Sequence, residues 1–322
     1  MVANKKVLDL LTNFMLKVTN TYEYVKHLIQ TRPGIIVTNV CNLSCGGCYA
    51  QCGKFSKDKL WYIPLDQLRQ NIDYIQRFMY GGEVTLPNGE IVKINSEGHG
   101  IDLIGGEPTI HPEWDKIWRI ITQEFPHLRF MISTNGRVPI KDAPNIYYHL
   151  DYKTKEIPSQ HDFAPTLVAP IDIVGNKNRL HYWETAQTDC NIWQALSCVN
   201  PIYKNEISIC SVASSWNDLL DLDLGWPLTP NQNPFSKLTD KNVKDKASKV
   251  CYRCGWSKRL DLPEVQHSES YNLVSQTNLE VLTKNHKDKP YKIISKEGKE
   301  VKISELKNCQ ELIQITIKNK KV

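Results

Sequence analysis

The sequence predicts an α/β fold, in which parallel strands carry helices on their outside and a cysteine-rich subdomain follows. Two observations lead there. Up to about residue 180, short apolar runs of strand length alternate with stretches whose apolar residues recur at helical spacing. Beyond about Tyr182 that alternation gives way to cysteine, tryptophan and loop residues, a composition suited to a subdomain organised by metal.

Residues 1–30 form an N-terminal helical segment, with Leu8, Leu11, Met15 and Val18 at helical spacing. Arg32-Pro33-Gly34 breaks the pattern, and Ile35 to Val40 reads as a short buried strand. A loop with four cysteines follows. Pro64 precedes a helix whose Leu68, Ile72, Ile75 and Met79 share one face. Glu83 to Ile94 reads as a hairpin turning at Asn88-Gly89. Ile101 to Ile104 is the next strand and ends at Gly105-Gly106. Trp114, Ile117, Trp118 and Ile121 mark an amphipathic helix, and Phe130 to Ser133 a third strand. Ile146 to Leu150 and Leu167 to Val174 are further strand candidates. The organisation expected is an N-terminal segment to 30, an α/β unit over 31–182, a cysteine-rich unit over 183–265 and a basic extension over 266–322. Within the extension, Tyr291 to Ile303 has the pattern of a hairpin around Glu297-Gly298.

Composition excludes several classes. With 41% apolar and 23% charged residues, the chain is ordinary for a soluble globular protein. No apolar run approaches the roughly 20 residues that span a bilayer. The N-terminus lacks the pattern of a secretory signal, so a cytoplasmic protein with no membrane partner is expected. From residue 231 onward there are 19 Lys/Arg against 11 Asp/Glu, while the preceding part is slightly acidic. The positive charges are interspersed with acids, so a solvated surface is favoured over a nucleic-acid contact. Of the ten cysteines, four fall between Cys41 and Cys52, five between Cys190 and Cys254, and Cys309 stands alone. In a chain without an export signal, such grouping points to metal ligands or catalytic thiols rather than disulfides.

Cys41, Cys45 and Cys48 are spaced C-x3-C-x2-C directly after a strand. Thiolates are soft ligands suited to iron–sulfur clusters, and three of them on four irons leave one metal position open. Addition of Cys52 would instead close the set around zinc or an electron-transfer cluster. The three-cysteine loop resembles the signature of the radical S-adenosylmethionine (SAM) superfamily. Two more stretches carry the resemblance, which covers roughly residues 34–180. Gly105-Gly106-Glu107-Pro108 looks like the family motif that meets the methionine amino group of SAM. Ser133-Thr134-Asn135-Gly136 looks like the stretch that contacts the ribose and carboxylate. The family's aromatic residue before the third cysteine is replaced by Gly47, and Tyr49 follows that cysteine as the aromatic candidate.

The resemblance implies a partial (β/α)6 TIM-like barrel of the radical SAM type with a C-terminal auxiliary-cluster subdomain. It also implies a [4Fe–4S] cluster on Cys41, Cys45 and Cys48, bound SAM, and an external electron donor such as flavodoxin or ferredoxin. The second cysteine group resembles the appended "twitch" or SPASM-like modules that hold an auxiliary [4Fe–4S] cluster. Cys190, Cys210, Cys251 and Cys254 fit its order best, and Cys198 is the alternative to Cys190. Asn205 takes the place of a glycine there, acceptable in a turn because asparagine tolerates positive φ. Zinc is the alternative occupant, since C-x2-C is common in zinc ribbons.

The function expected is reductive cleavage of SAM to a 5′-deoxyadenosyl radical for hydrogen abstraction. The expected substrate is a small polar metabolite such as a sugar, cyclitol or nucleotide derivative, with the auxiliary cluster as electron acceptor. A peptide- or protein-modifying maturase is the second reading. A non-catalytic iron–sulfur or zinc protein that binds nucleic acid is the third. No catalytic base is singled out: Asp102, His111, Asp151, Lys153, Asp172 and His181 all lie near strand ends or connections. Histidines such as His127 are more often packing or surface groups.

Overall fold

The computed structural model describes residues 22–43, 45, 48–94, 100–150, 165–190, 199–258, 260, 271–286, 291–294 and 313–317. Helix α1 (Glu23–Gln30) buries Val25, Leu28 and Ile29 and leads into strand β1 (Arg32–Thr38). Helix α2 (Leu65–Phe78) starts directly after Pro64, with Asp66 in its first turn and Arg77 in its last, both matched to the helix dipole. Its Leu68, Ile72 and Ile75 are buried, and Met79 packs at its end, as the spacing predicts. β2 (Glu83–Thr85) and β3 (Ile91–Lys93) form the expected antiparallel hairpin. β4 (Ile101–Gly105), helix α3 (Trp114–Arg119, continued by a wider turn to Glu124), β5 (Phe130–Thr134) and β6 (Ile146–Leu150) follow.

The expected strand over Leu167–Val174 is not formed. Its second half is the short helix α4 (Pro170–Val174), with Pro170 at the helix start and Gly175 closing it at φ 75°. Proline there removes a ladder donor but costs a first helical turn nothing, so a buried apolar run becomes a helix. Next come α5 (Arg179–Asp189), β7 (Val199–Tyr203), β8 (Glu206–Ser208), α6 (Ser211–Leu219), β9 (Gly225–Pro227) and α7 (Asp240–Val250). β10 (Tyr271–Val274), α8 (Gln276–Asn285), β11 (Tyr291–Ile294) and β12 (Ile313–Ile317) complete the described elements.

The main sheet has the order β6-β5-β4-β1-β7-β8-β9. From β6 to β7 every pairing is parallel, while β8 and β9 add antiparallel edges. The sheet therefore runs past the change of composition at Tyr182, where α5 is continuous. β7 escaped notice because Pro201 interrupts its apolar pattern, and a proline argues against an inner strand. The C-terminal sheet is β10-β12-β11, all antiparallel. β11 pairs with Ile313–Ile317, and the second half of the hairpin expected to Ile303 lies outside the described residues. The turn expected at Glu297-Gly298 lies outside the described residues. Among the described residues, no helix is long and apolar enough to cross a membrane.

Alternation along the strands separates two faces. Ile35, Val37, Ile101, Leu103, Phe130 and Ile132 join the large core with Leu68, Ile72, Ile75, Ile117 and Ile121 of the helices. The other face carries Ile36 and Ile104, directly paired, with Tyr203 and Trp61 against them. One rung further from the strand ends, Gly34 stands opposite Asp102 and Asp102 opposite Met131.

Candidate metal centre

Where β1 ends, the chain keeps its alignment with the end of β4. Gly106 N donates to Thr38 O at 2.8 Å and Glu107 N to Val40 O at 2.9 Å. This approach requires glycine. An added Cβ would stand 2.2 Å from Thr38 O at Gly105 and 1.9 Å from Val40 O at Gly106, and Gly105 has φ 139°. Cys41 is the next residue after Val40, so the two glycines seat the start of the cysteine loop.

Glu107, 1% exposed, is the knot of this end of the sheet. Its Oε1 accepts from Thr109 N at 3.1 Å, Thr109 Oγ1 at 2.6 Å and Thr134 Oγ1 at 2.6 Å, and its Oε2 accepts from Asn135 N at 2.7 Å. Asn135 in turn donates through Nδ2 to Asn42 Oδ1 at 2.8 Å and lies 3.9 Å from Cys41 Sγ. Leu43 N also points at Cys41 Sγ, 3.4 Å away. Gly105 to Pro108, Asn135 and Cys41 therefore form one connected unit at the ends of β4, β5 and β1, with Ser133 half-buried just before Thr134. Glu107→Gln is expected to lower folding stability by about 1–3 kcal/mol, since an N–H2 group then replaces one of the two acceptor oxygens and faces a donor. Urea unfolding of the metal-free chain measures this, and an unchanged midpoint would contradict it.

The thiols lie close enough to perturb one another. Cys41 is pushed up to about 12, by burial first and then by Cys48, with Leu43 N opposing and Cys45 and Glu107 adding. Cys52 is raised by its hydrogen bond with Cys48, then by burial and by the charges of Cys48 and Cys41. Lys54, 2% exposed, sits among these thiols. Burial lowers it to about 8, opposed by Cys48, Cys52 and Cys45. Tyr49 is half-buried against the core beside Cys48.

The second group comes from four separate places. Cys190 ends α5, Cys210 caps the start of α6 by accepting from Ala213 N at 3.4 Å, and Cys251 and Cys254 flank the turn after α7. Cys251 and Cys254 are buried and both raised, by burial first and then by Cys190 and Cys210, with Cys254 adding to the shift of Cys251 and the backbone N–H groups of Trp256 and Ser257 opposing that of Cys254. The structure thus brings Cys190, Cys210, Cys251 and Cys254 together, while Cys198 lies outside the described residues. Asn205 has the positive φ (62°) expected of it, in the turn from β7 to β8. Around the C-x2-C turn, the guanidinium groups of Arg179 and Arg253 stand 4.4 and 4.8 Å from the Tyr252 ring.

None of the described cysteines is joined in a disulfide. Their chemistry suits soft metals such as iron in iron–sulfur clusters or zinc, and a buried cation beside the first set suits an anionic thiolate centre. Among the described residues, no three His, Cys, Asp or Glu side chains are already arranged to hold a metal ion.

The other candidate residues separate clearly. His111 is buried with Nε2 3.1 Å from Ile63 O and Nδ1 accepting from Glu113 N at 3.1 Å, so both ring nitrogens serve the local fold. Asp172 accepts from Thr277 N at 2.8 Å and Thr277 Oγ1 at 2.6 Å, fixing the start of α8. His181 lies in the first turn of α5 with its ring against Tyr182, and His127 pairs with Gln76 on the surface. Asp151 and Lys153 lie outside the described residues. Asp102 remains, 1% exposed on the sheet face of Ile36 and Ile104, with Arg32 3.6 Å away. A cavity of about 370 Å³ lies elsewhere, between α2 residues Asn71, Tyr74 and Phe78 and the segment Leu228–Asn231, and none of the cysteines lines it.

Sequence reasoning passed over Lys54, Gln51, Thr109 and Thr166. Thr109 carried a signal, a hydroxyl two residues after Glu107 where a short helix starts. The other three carry none, because their partners come from distant parts of the chain or from burial. Compared with models of known protein families and with curated proteins, the chain matches none.

Proposed function

We propose that the chain is a radical SAM enzyme with two iron–sulfur sites acting on a small polar metabolite. One observation carries the reading: three motifs scattered through the sequence meet at the adjacent ends of parallel strands β1, β4 and β5, joined through Glu107 and Asn135. Ligand sites in parallel α/β sheets gather at those strand ends. On this reading the architecture is a partial barrel, and Cys41, Cys45 and Cys48 would hold a [4Fe–4S] cluster. When bound, that cluster supplies the electron that splits SAM into methionine and a 5′-deoxyadenosyl radical, which takes hydrogen from the substrate.

The residues of the chain serve to place and enclose. Gly105 and Gly106 let backbone approach backbone, which fixes the strand ends where the methionine end of SAM would bind. Glu107 spends its carboxylate on holding Thr134 and Asn135, so it shapes the site rather than offering a free charge. Asn135 Nδ2 lies by Cys41 Sγ, where an N–H donor tunes a ligating sulfur. Lys54 offsets negative charge accumulated on the thiolates. Cys190, Cys210, Cys251 and Cys254 would hold the second cluster, which serves as electron acceptor.

Iron and sulfide counts on anaerobically reconstituted chain, wild type beside a Cys41→Ala/Cys45→Ala/Cys48→Ala variant, test the assignment together with product analysis. The reduced wild type is expected to convert SAM to methionine and 5′-deoxyadenosine. The variant is expected to lose one cluster's iron and all turnover. Equal iron in the two proteins, or no SAM cleavage by the wild type, would remove the basis for the proposal.

A further inference from the structure

The two cysteine groups are linked through a buried segment that neither motif includes. Gln51, between Cys48 and Cys52, is fully buried and non-glycine, yet it adopts a left-handed backbone with φ 54°. Such a conformation is uncommon for this residue type and persists only where the surroundings enforce it. Its Nε2 donates to both Cys48 O and Thr166 Oγ1. Cys48 O can only accept, which fixes which end of the amide points there, and Oε1 has no partner among the described residues. The amide is thus committed to its two donor contacts at the expense of its oxygen.

Thr166, 1% exposed, completes the link from its other side. Its carbonyl accepts from Gly255 N at 3.0 Å, and Gly255 directly follows Cys254. An added Cβ on Gly255 would stand 2.1 Å from Pro165 O, so only glycine allows this approach. The same strip is fastened again by Asn278, whose Nδ2 donates to Leu167 O and to Arg253 O, each at 2.8 Å. The turn from Cys251 to Gly255 is therefore bolted to residues 165–168, and the side-chain contact from Gln51 to Thr166 carries that strip to the Cys41–Cys52 loop.

We propose that Gln51 and Thr166 are positioning residues that form a strut between the two cysteine sites, so that metal held at one stabilises metal held at the other. The inference rests on the reading that both sites bind metal. Buried hydrogen bonds with no water to replace them transmit displacement efficiently, since breaking either leaves an unpaired polar group in the interior. Loss of the second site's metal then loosens Gly255 and Thr166, and through Gln51 the backbone at Cys48.

The test uses the full chain reconstituted anaerobically with ferrous iron and sulfide, then exposed to a ferrous chelator and iodoacetamide. Peptide mass spectrometry reports the alkylation rate of each cysteine separately, with no reference to enzyme activity. In the wild-type background, Cys251→Ser/Cys254→Ser is expected to speed alkylation of Cys41, Cys45 and Cys48 by about tenfold, the worth of one buried hydrogen bond. With Thr166→Val present, the same pair of changes is expected to add nothing, and Thr166→Ser is expected to restore the coupling. Gln51→Asn offers a second route, because asparagine tolerates the left-handed backbone while its shorter amide falls short of Thr166. Protection of the first set that ignores the second, or coupling that survives Thr166→Val and Gln51→Asn, overturns the strut and leaves both metal sites standing. Second-site thiols alkylated as fast after reconstitution as before it would overturn the two-site reading and the strut together.

Discussion

Gly106→Ala is expected to destabilise the chain by more than about 3 kcal/mol and to strip iron from the Cys41–Cys48 loop. The new methyl group would stand 1.9 Å from Val40 O and 2.5 Å from Val40 C, both backbone atoms that no rotamer change can move. Relief requires the chain after β1 to swing away from β4. That motion breaks the Glu107 N to Val40 O hydrogen bond and carries Cys41, the next residue, out of reach of Asn135. Gly82 is the control. It has φ 84° but open space around it, so alanine there costs only the backbone term, about 1–2 kcal/mol. Urea unfolding of the metal-free proteins and iron counts after reconstitution measure the two effects. A Gly106→Ala protein with wild-type midpoint and wild-type iron would mean that the cysteine loop is not seated on this strand edge.

Most of what positions this site was readable because it is local. The spacing of Cys41, Cys45 and Cys48, the glycine pair at 105–106 and the Ser133–Gly136 stretch each sit at the end of an apolar run, and periodicity alone located those runs. The helix over 65–78 was legible for the same reason, with Pro64 before it and a regular apolar face. Failures cluster where proline and tertiary context decide. Leu167–Val174 is as apolar as a strand, yet Pro170 and Gly175 turn its second half into a helix. Val199–Tyr203 is a strand of the main sheet despite Pro201, because β1 and β8 hold it from both sides. No local pattern announces Lys54, since a lysine near cysteines is ordinarily a solvated one and only the packing around it makes it buried. Gln51 and Thr166 were equally invisible, as the contact joins residues 115 apart in the chain. The place of Glu107 was legible in the motif, whereas of the four internal donors on its carboxylate those from Thr134 and Asn135 come from residues that only the fold brings to it.

Relative to an Asp102→Asn variant, the stability of the wild-type chain is expected to fall as pH rises from about 4 to about 7. Asp102 stands 1% exposed on β4, opposite Gly34, with one oxygen lacking any hydrogen-bond partner among the described residues. Burial pushes its carboxyl from the ordinary 3.8 up to about 7, with Arg32 pulling the other way. Arg32 stands 3.6 Å off and is itself partly solvated, so it offsets the burial incompletely. In the unfolded chain the group ionises near its ordinary value, whereas in the folded chain it keeps its proton until about pH 7. Between those limits the folded state binds more protons, so each rise in pH favours unfolding. The contribution is fully present below about pH 4 and lost through pH 7, a total of about 4 kcal/mol for a shift of this size. An amide at this position stays neutral throughout. Asp102→Asn and wild type should therefore have similar stabilities at pH 4, and the variant should be the more stable by up to about 4 kcal/mol at pH 8. Urea unfolding of both proteins at several pH values reads the difference directly, since other titrating groups cancel between them. Curves that stay parallel across this range would mean that the carboxyl is solvated or better paired. Asp102 lies on the same sheet face as Ile36 and Ile104, below the strand ends that carry Cys41 and Glu107.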